Sequence, residues 1–468
     1  MLLLRFPIIL VLSSLLFFAA CGKENGDDIP DNGNDTIIDD GCPTLERVID
    51  EELQEDELLD LVQSQTLRYF WDFAEPNSGM ARERNTSGNL VTSGGTGFGI
   101  MAMIAGAERG FLQRDEVLQR VLTITNFLKT ADRYHGAWSH WMDGTTGKTI
   151  AFSPKDNGGD LVETAFLVQG LIAAREYFDG ANALEDSLRN LVDTLWYGVD
   201  WQWYTQGQNV LYWHWSPDYD FEMNMQISGW NEALIVYILA AASPTYPVAP
   251  EVYHQGWARN GNMANGRWFY DIQLPLGVDF GGPLFFAHYS FLGLDPRGLQ
   301  DQYADYWEQN RTHSLINYRY CVANPNEFCH YSDSLWGLTA SDDPIVGYQA
   351  HAPFGFFGVD NGTITPTAAL SSFPYTPQES MKALKTFYYY LHDNLWGDYG
   401  FKDAFNLSEN WFANSYLAID QGPIVVMIEN YRSGLLWDVF MQNQQVLHAL
   451  DVLGFTYQNQ LNNPLNQK

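Results

Sequence analysis

Residues 156–168 read DNGGDLVETAFLV, and this segment gives the clearest indication of the fold. From residue 161 onward the segment is apolar on nearly all sides, which is typical of a helix buried by its neighbours. Residues 233–239 (ALIVYIL) and 424–428 (IVVMI) share this pattern. Helices of this kind must be covered by other helices, so the sequence predicts an inner group of helices.

A second kind of segment is apolar on one side only. Residues 112–128 place Val117, Val121, Ile124 and Leu128 at helical spacing, with charged and polar residues between them. This spacing predicts a helix half exposed to water. Similar segments recur at residues 51–71, 182–197, 298–311 and 378–393. The sequence therefore predicts an all-α fold in which outer helices wrap inner ones, within one domain over residues 45–468.

The start of the chain has the pattern of an export signal. Arg5 is followed by a mostly apolar run over residues 8–18 and then by Ala-Ala-Cys ending at Cys21. This order predicts a cleaved signal over residues 1–20, because a membrane-spanning helix needs about 20 apolar residues. The Ala-Ala-Cys sequence resembles a bacterial lipobox, with Phe18 where Leu is usual. We expect lipid on Cys21 and an exported outer-membrane lipoprotein; the alternative is an ordinary secretory signal.

Residues 21–44 are rich in Asp, Asn, Gly and Pro and have little to bury. This composition predicts a flexible tether. The aspartates lack the spacing and the closing glutamate of a calcium-binding loop.

Composition limits the classes of partner. The formal net charge of −32 disfavours nucleic acid, whose phosphates are bound by Lys and Arg. The chain has 16 Trp, 26 Tyr and 28 Phe, and aromatic rings stack on the apolar faces of sugars, although many will be core residues. We expect a neutral glycan as substrate, contact with the membrane only through the lipid, and a monomer.

The remaining cysteines are Cys42, Cys321 and Cys329, and an exported chain is free to form disulfides. Cys321 and Cys329 are close in sequence and are expected to pair, which leaves Cys42 free in the tether. Their spacing does not fit a zinc site. The sequence has no phosphate loop, nucleotide fingerprint or nucleophile elbow, so neither a metal nor a cofactor is expected.

Carboxylates precede or open each buried segment. Asp156, Asp160 and Glu163 accompany the first, Glu232 the second and Asp420 the third. If the inner helices run the same way, their starts share one face and these acids converge there. The ordinary alternative is helix capping, which is the better interpretation for Asp156 alone; Asp160 could also cap, and Asp160 with Glu163 could form a capping box.

A glycan-cleaving site needs a general acid and a general base, and these carboxylic acids are candidates for both roles. Glu232 lies between Trp230 and an apolar run, and apolar surroundings raise the pKa of a carboxyl, as a general acid requires. An Asp at a helix N-terminus is held ionised by the helix dipole, as a general base requires.

Aromatic and basic residues in polar, helix-poor stretches are candidate substrate contacts. For Arg432, a structural ion pair is the competing interpretation. The candidates are Trp138, Trp141, Trp213, Trp215, Trp230, His351 and Arg432, together with Asp156.

Seven strings in the chain resemble the glucoamylase-like domain of glycoside hydrolase family 144, the bacterial β-1,2-glucanases. The likeness covers residues 51–455. The strings are DNGGDLVE (156–163), GWNEA (229–233), GPLFFAHYSFL (282–292), GLTASD (337–342), DNGTITP (360–366), YLAIDQGPIVVM (416–427) and ENYRSG (429–434).

The resemblance implies an (α/α)6 double-ring helical barrel that needs no metal and hydrolyses β-1,2-glucan with inversion. It implies that the family's functional acids fall on Asp156, Asp160, Glu163, Glu232 and Asp420. We assign Glu232 as general acid and favour Asp420 and the Asp160/Glu163 pair as the groups that act with it. Asp160, Glu163 and Asp420 all remain open as the base or as groups that position water, because an inverting pair must stand about 6.5–9.5 Å apart and sequence gives no distances. We expect endo action that releases oligosaccharides; the alternatives are an exo enzyme that releases sophorose and a non-catalytic glycan-binding lipoprotein.

Overall fold

The computed structural model describes residues 41–353 and 358–457. The described residues from Cys42 onward form one compact unit. Its α-helices are α1 (Glu55–Trp71), α2 (Ser93–Glu108), α3 (Arg114–Leu128), α4 (Leu161–Tyr177), α5 (Ala183–Tyr197), α6 (Leu234–Ala242), α7 (Tyr306–Ala323), α8 (Pro366–Leu370), α9 (Pro377–Tyr390), α10 (His392–Leu395), α11 (Ala418–Arg432), α12 (Leu435–Phe440) and α13 (Gln444–Leu453).

Buried and amphipathic helices alternate along the chain. The buried inner elements are the helices α2, α4, α6, α8 and α11 and, as a sixth, two consecutive short 3-10 turns, Leu284–Ala287 and Tyr289–Leu292. Helix α2 packs against α4 and α11, and α4 also packs against α6. The amphipathic helices α1, α3, α5, α7 and α9 cover this inner group, so the predicted inner and outer helices are both present.

Helix α2 was not predicted, because its sequence SGGTGFGIMAMIAGAE contains four glycines within its first seven residues. Those glycines serve packing. A Cβ atom on Gly97 would lie 2.1 Å from the carbonyl oxygen of Phe166, and one on Gly170 would lie 2.1 Å from that of Gly97. Helices α2 and α4 therefore approach each other backbone to backbone.

One predicted helix boundary is wrong. The segment predicted at 298–311 begins as a helix only at Tyr306, where the Asp305 side chain caps α7 by accepting from the Glu308 N–H at 3.0 Å. The apolar spacing before this point belongs to a loop.

The described strands are two to four residues long, and all their pairings are antiparallel. They are β1 (Leu90–Thr92), β2 (Trp141–Asp143), β3 (Thr149–Ile150), β4 (Gly159–Asp160), β5 (His214–Trp215), β6 (Trp268–Phe269), β7 (Ile272–Gln273), β8 (Ala340–Asp343), β9 (Gly347–Ala350), β10 (Thr363–Ile364), β11 (Trp396–Gly397), β12 (Gly400–Phe401), β13 (Phe405–Asn406) and β14 (Trp411–Phe412). Several lead directly into inner helices: β1 precedes α2, and β4, which pairs with β5, precedes α4.

The predicted disulfide is wrong. Cys42 is bonded to Cys329, 287 residues away, and among the described cysteines Cys321 is a buried free thiol. Cys321 is 0% exposed inside a core cluster, which keeps its sulfur away from the surface. The end of the predicted tether is thus attached to the helical body, and the Pro43 carbonyl also contacts His330 Nε2 at 2.6 Å.

The predicted signal, Cys21 and most of the tether lie outside the described residues. In the described ranges, no helix combines the length and apolar character needed to cross a membrane.

Candidate active site

The starts of the inner helices surround one cavity of about 510 Å³. Thr92 comes just before α2, Glu163 lies in the first turn of α4, and Leu417 and Ile419 flank the start of α11; all four line the cavity. Glu232, two residues before α6, lines it as well. The expected convergence of helix starts is therefore present, and it brings Glu163 and Glu232 to one space.

Glu232 is held in a fixed turn before α6. The Ser290 hydroxyl donates to the Glu232 carbonyl and accepts from the Ile235 N–H at 3.0 Å. Glu232 is 8% exposed, and burial, joined by the charges of Glu163 and Asp160, raises the pKa of its carboxyl to about 7. A carboxyl of this kind is still protonated in a large fraction of molecules near neutral pH, as a proton donor must be.

Asp160 and Glu163 share the first turn of α4 but have different partners. Asp160 is the N-cap and accepts from the N–H groups of Val162 at 3.0 Å and Glu163 at 2.9 Å. Glu163 Oε2 accepts from the Gly94 N–H at 2.8 Å, at the start of α2. The Glu163 carboxyl therefore lies against α2 and does not close a capping box with Asp160.

Two imidazoles contact the carboxylates at and just before the start of α4. His140 Nδ1 lies 3.2 Å from Asp160 Oδ2, and His214 Nε2 lies 3.3 Å from Asp156 Oδ2. Burial opposes ionisation of Asp160, but the hydrogen bond from His140 and the charge of His214 outweigh it and lower the pKa of Asp160. Burial raises the pKa of Glu163, with Asp160 adding to the effect and His140 opposing it.

His140, Asp156 and Asp160 also form a set with the composition of a metal site. One ligand atom from each lies within 4.8 Å of the others. Both carboxylates already face an imidazole nitrogen, His140 for Asp160 and His214 for Asp156. The set is thus part of a network in which each carboxylate contacts an imidazole of the chain itself.

Asp420 lies in the first turn of α11 and is 2% exposed. It is not among the cavity-lining residues, and apart from the Asp403 carboxyl its oxygens meet no hydrogen-bond partner among the described residues. Its carboxyl instead bonds with that of Asp403, and burial together with the Asp403 charge raises the pKa of Asp420 well above its usual range. Two buried carboxyls in contact share a proton, because they do not both ionise.

The candidate aromatic residues divide into two groups. Trp141 and Trp213 are half-buried and line the cavity. Trp138 is 0% exposed, and its indole donates to the Leu128 carbonyl at 3.1 Å, so it is a core residue. Trp230 is buried beside Phe291 and Tyr306, and half-buried Trp215 packs on His135 and Tyr134 outside the cavity lining.

Two further candidates have structural roles. His351 is fully buried, with Nε2 3.0 Å from Asp343 Oδ2, and Asp343 in turn accepts from the Ile345 and Val346 N–H groups in the β8–β9 turn. Arg432 donates to Asp60 at 2.6 Å and to Gln63 at 2.8 Å. We find neither residue in the cavity lining.

Several lining residues were not proposed from the sequence. Some of them lie within two residues of an inner-element start, namely Thr92, Phe285, Leu417 and Ile419, and that position is the signal the sequence offered. The lining residues not proposed from the sequence are Glu83, Arg84, Thr92, Phe152, Phe166, Phe285, Tyr289, Ala340, Tyr348, Ala350, Leu417 and Ile419. His140 also lines the cavity, and it belongs to the stretch 138–141 (WSHW), which the sequence indicates as cleft lining.

Comparison with known proteins identifies relatives along most of the chain. Residues 224–444 match a family model described as "Putative glucoamylase". The exo β-1,2-glucooligosaccharide sophorohydrolase (non-reducing end) of Parabacteroides distasonis is 49% identical over 415 residues, which is 84% of this chain and 57% of that protein. This chain therefore spans little more than half the length of that curated relative.

Two solved structures are similar over nearly their whole length. A crystal structure from Bacteroides uniformis with the same glucoamylase description is 57% identical, with a TM-score of 0.84, covering 87% of this chain and 98% of that one. The endo-β-1,2-glucanase from Chitinophaga pinensis, solved with sophorotriose and glucose, is 51% identical, with a TM-score of 0.84, covering 87% of this chain and 99% of that one. These matches confirm the double-ring helical fold. The chain belongs to the glucoamylase-like family, glycoside hydrolase family 144, that the sequence motifs indicated.

Proposed function

We propose that this chain hydrolyses the β-1,2-glucosidic bonds of β-1,2-glucan, with Glu232 as the general acid. The observation that carries the proposal is the Glu232 carboxyl itself, which lines the cavity and, being buried, has a pKa of about 7. Two of the relatives are named for activity on β-1,2-linked glucose chains: the Chitinophaga pinensis protein is an endo enzyme, and the Parabacteroides distasonis protein is an exo enzyme. The lining rings of Trp141, Trp213 and Phe152 offer apolar faces for sugar rings.

In the proposed reaction, Glu232 donates its proton to the glycosidic oxygen while water attacks the anomeric carbon from the opposite side. The charge that develops on the leaving oxygen is then neutralised within a cavity that shields it from bulk water. Inversion follows because one displacement occurs and no glycosyl-enzyme bond forms.

We assign the water-activating role to Glu163. It lines the same cavity as Glu232, and its Oε2 atom is fixed by the Gly94 N–H. Glu83 also lines the cavity, but its two oxygens are held by the Arg84 side chain at 3.0 and 2.9 Å. Asp420 is the competing base; because it lies outside the cavity lining, it would act through a chain of water or substrate hydroxyls, with the proton of the Asp403–Asp420 pair held on Asp403.

Endo action is the form we propose, because the likeness to the Chitinophaga pinensis endo enzyme extends over 99% of that chain. The test is a time course on β-1,2-glucan with products separated by size and the anomeric proton followed by NMR. We expect a ladder of oligosaccharides whose new reducing ends appear first as the α-anomer. Disaccharide alone from the first minutes means exo action, and an initial β-anomer excludes inversion.

Absence of any reducing-sugar release would reject the proposal. Binding of β-1,2-glucan without cleavage would then favour the glycan-binding lipoprotein, the alternative from a different class. The Glu163 assignment is tested by Glu163→Gln and Asp420→Asn; the true base loses activity even on substrates whose leaving group needs no protonation.

We also propose that the chain is an outer-membrane lipoprotein anchored through Cys21 and acting as a monomer. The support is the signal pattern at the start of the sequence. Incorporation of a labelled fatty acid that is lost in Cys21→Ser, with fractionation and light scattering, tests these points. Soluble, unlabelled protein from the wild-type gene would reject the anchor.

A further inference from the structure

His140 lies between the two carboxylates of the first turn of α4. Its Nδ1 atom is 3.2 Å from Asp160 Oδ2, and its Nε2 atom is 4.0 Å from Glu163 Oε1. Only a doubly protonated imidazole presents an N–H from both ring nitrogens. The geometry is therefore that of a cation held between two carboxylates.

The backbone around His140 is tied to the same helix starts that hold its partners. The His140 carbonyl accepts from the Ser93 N–H at 3.2 Å, at the start of α2. Two residues earlier, the Trp138 carbonyl accepts from the Asp160 N–H at 2.9 Å. The ring itself stacks on Phe152, with 4.3 Å between ring centroids, so the position of the imidazole is fixed.

We infer that His140 is a positioning residue that keeps Glu163 ionised and aimed into the cavity, ready to accept a proton from the attacking water. The inference rests on the proposed function, in which Glu163 is the base. His140 itself lines the cavity, and its side chain is 23% exposed.

Other charged groups near Glu163 are mostly negative. The negative charges of Asp160 and Glu232 disfavour ionisation of the Glu163 carboxyl. The other hydrogen-bond partners of Glu163, the Gly94 N–H and the Thr92 hydroxyl, are neutral. His214 is the other cation of the cluster, and it faces Asp156 and Asp160 at 3.3 and 3.7 Å. Without His140, Glu163 would have no cationic partner among these groups.

Two neutral replacements of His140 test the contributions of its two ring nitrogens separately. His140→Asn keeps a donor near the Nδ1 position and Asp160, and His140→Gln keeps one near the Nε2 position and Glu163. For both we expect kcat/KM on β-1,2-glucan to fall at least about tenfold at pH 6, with the acidic limb of the pH profile moved up by about 1–2 pH units, because a lost opposite charge shifts a carboxyl by that amount. His140→Gln should retain more activity than His140→Asn.

His351→Gln is the matched control, since His351 also pairs with a carboxylate, Asp343, but in the β8–β9 region. It should leave the acidic limb in place even if it lowers thermal stability. An unmoved acidic limb in both His140 variants, with activity lost only in proportion to folded protein, would show a merely structural role and overturn the inference.

A readout independent of activity separates this inference from the proposed function. Burial lowers the pKa of His140, but Glu163 and Asp160 outweigh it and raise that pKa to about 9. In ¹⁵N-histidine NMR spectra we expect His140 to stay doubly protonated through pH 8 and to titrate at lower pH in Glu163→Gln. Titration of the wild-type ring near its ordinary value of about 6.5 would overturn the inference whether or not the enzyme cleaves β-1,2-glucan.

Discussion

The Glu163 side chain accepts a hydrogen bond from the Gly94 N–H at 2.8 Å, and this bond joins the first turn of α4 to the first turn of α2. Residue 94 has no room for a side chain, because a Cβ atom there would lie 2.5 Å from Glu163 Oε2. A small change in α2 therefore displaces a carboxylate on another helix.

Gly94→Ala should move Glu163 and lower kcat on the order of 10²-fold, the cost of misplacing a reacting group by about 1 Å. The measurement is steady-state kinetics on β-1,2-glucan beside a thermal unfolding curve. Gly106→Ala, in the same helix but against Leu67, is the control and should destabilise the fold without reducing kcat of the folded enzyme. Equal kcat in Gly94→Ala and wild type would contradict the role given to Glu163.

The pKa of Glu232 predicts the basic limb of the pH profile. A general acid must be protonated, so kcat/KM should fall as pH rises through about 7, the raised pKa of this carboxyl. In Glu232→Gln this limb should disappear from the residual rate. A profile that stays flat to pH 9 in the wild type would argue against Glu232 as the acid.

The raised pKa of Glu232 also makes the free energy of unfolding depend on pH. The pKa in the folded state is about 7 and the ordinary value is 4.5. The contribution of Glu232 to stability is therefore complete below about pH 4.5 and is lost as pH rises from there to about 7, where the unfolded chain is ionised and the folded one is not. Glu232→Gln should therefore be more stable than wild type at pH 8, by up to about 3 kcal/mol at 1.36 kcal/mol per pKa unit, and close to wild type at pH 5. Chemical denaturation at both pH values measures the difference; a variant less stable at pH 8 than at pH 5 relative to wild type would contradict the prediction.

The Cys42–Cys329 disulfide should stabilise the fold without serving catalysis. Cys42→Ser should lower the free energy of unfolding by about 2–5 kcal/mol and leave kcat unchanged, because the bond joins distant parts of the chain far in sequence from the acids. Unfolding with and without reductant checks this. Cys321→Ala is the control, and reductant should lower its free energy of unfolding as it does that of wild type. A Cys42→Ser variant as stable as wild type would contradict the pairing.

Trp213 and Trp138 provide a paired test of substrate contact. Trp213→Ala should raise KM about five- to tenfold, the loss of a ring contact worth about 1 kcal/mol, with little change in stability. Trp138→Ala removes a fully buried ring and should instead cost about 3–5 kcal/mol of stability. The reverse pattern in kinetics and unfolding would show that Trp138, not Trp213, touches the glycan.

The sequence was informative where a local pattern settles the outcome. The apolar run from Leu161, with Asp160 before it, predicts a buried helix and its cap, and both are present. Helix α2 was not predicted, because glycine has low intrinsic helix propensity. The glycines of α2 stabilise the fold through the close approach to α4, which the sequence does not show.

Other outcomes depend on which distant segments meet in space. Cys42 and Cys329 pair across 287 residues, so spacing along the chain favoured the wrong partner. Trp138 and Trp141 stand three residues apart in the same polar stretch, yet one is core and the other lines the cavity. Nothing local to their sequence distinguishes the two, since burial depends on the facing helices.

The most direct test of the central claim compares Glu232→Gln on two substrates. On β-1,2-glucan, whose leaving oxygen needs a proton, the rate should fall about 10²- to 10⁴-fold. On 2,4-dinitrophenyl β-sophoroside, whose leaving group needs none, the same variant should stay within about tenfold of wild type, since only the proton donor is missing. Unchanged release of reducing sugar from β-1,2-glucan by Glu232→Gln would contradict the account.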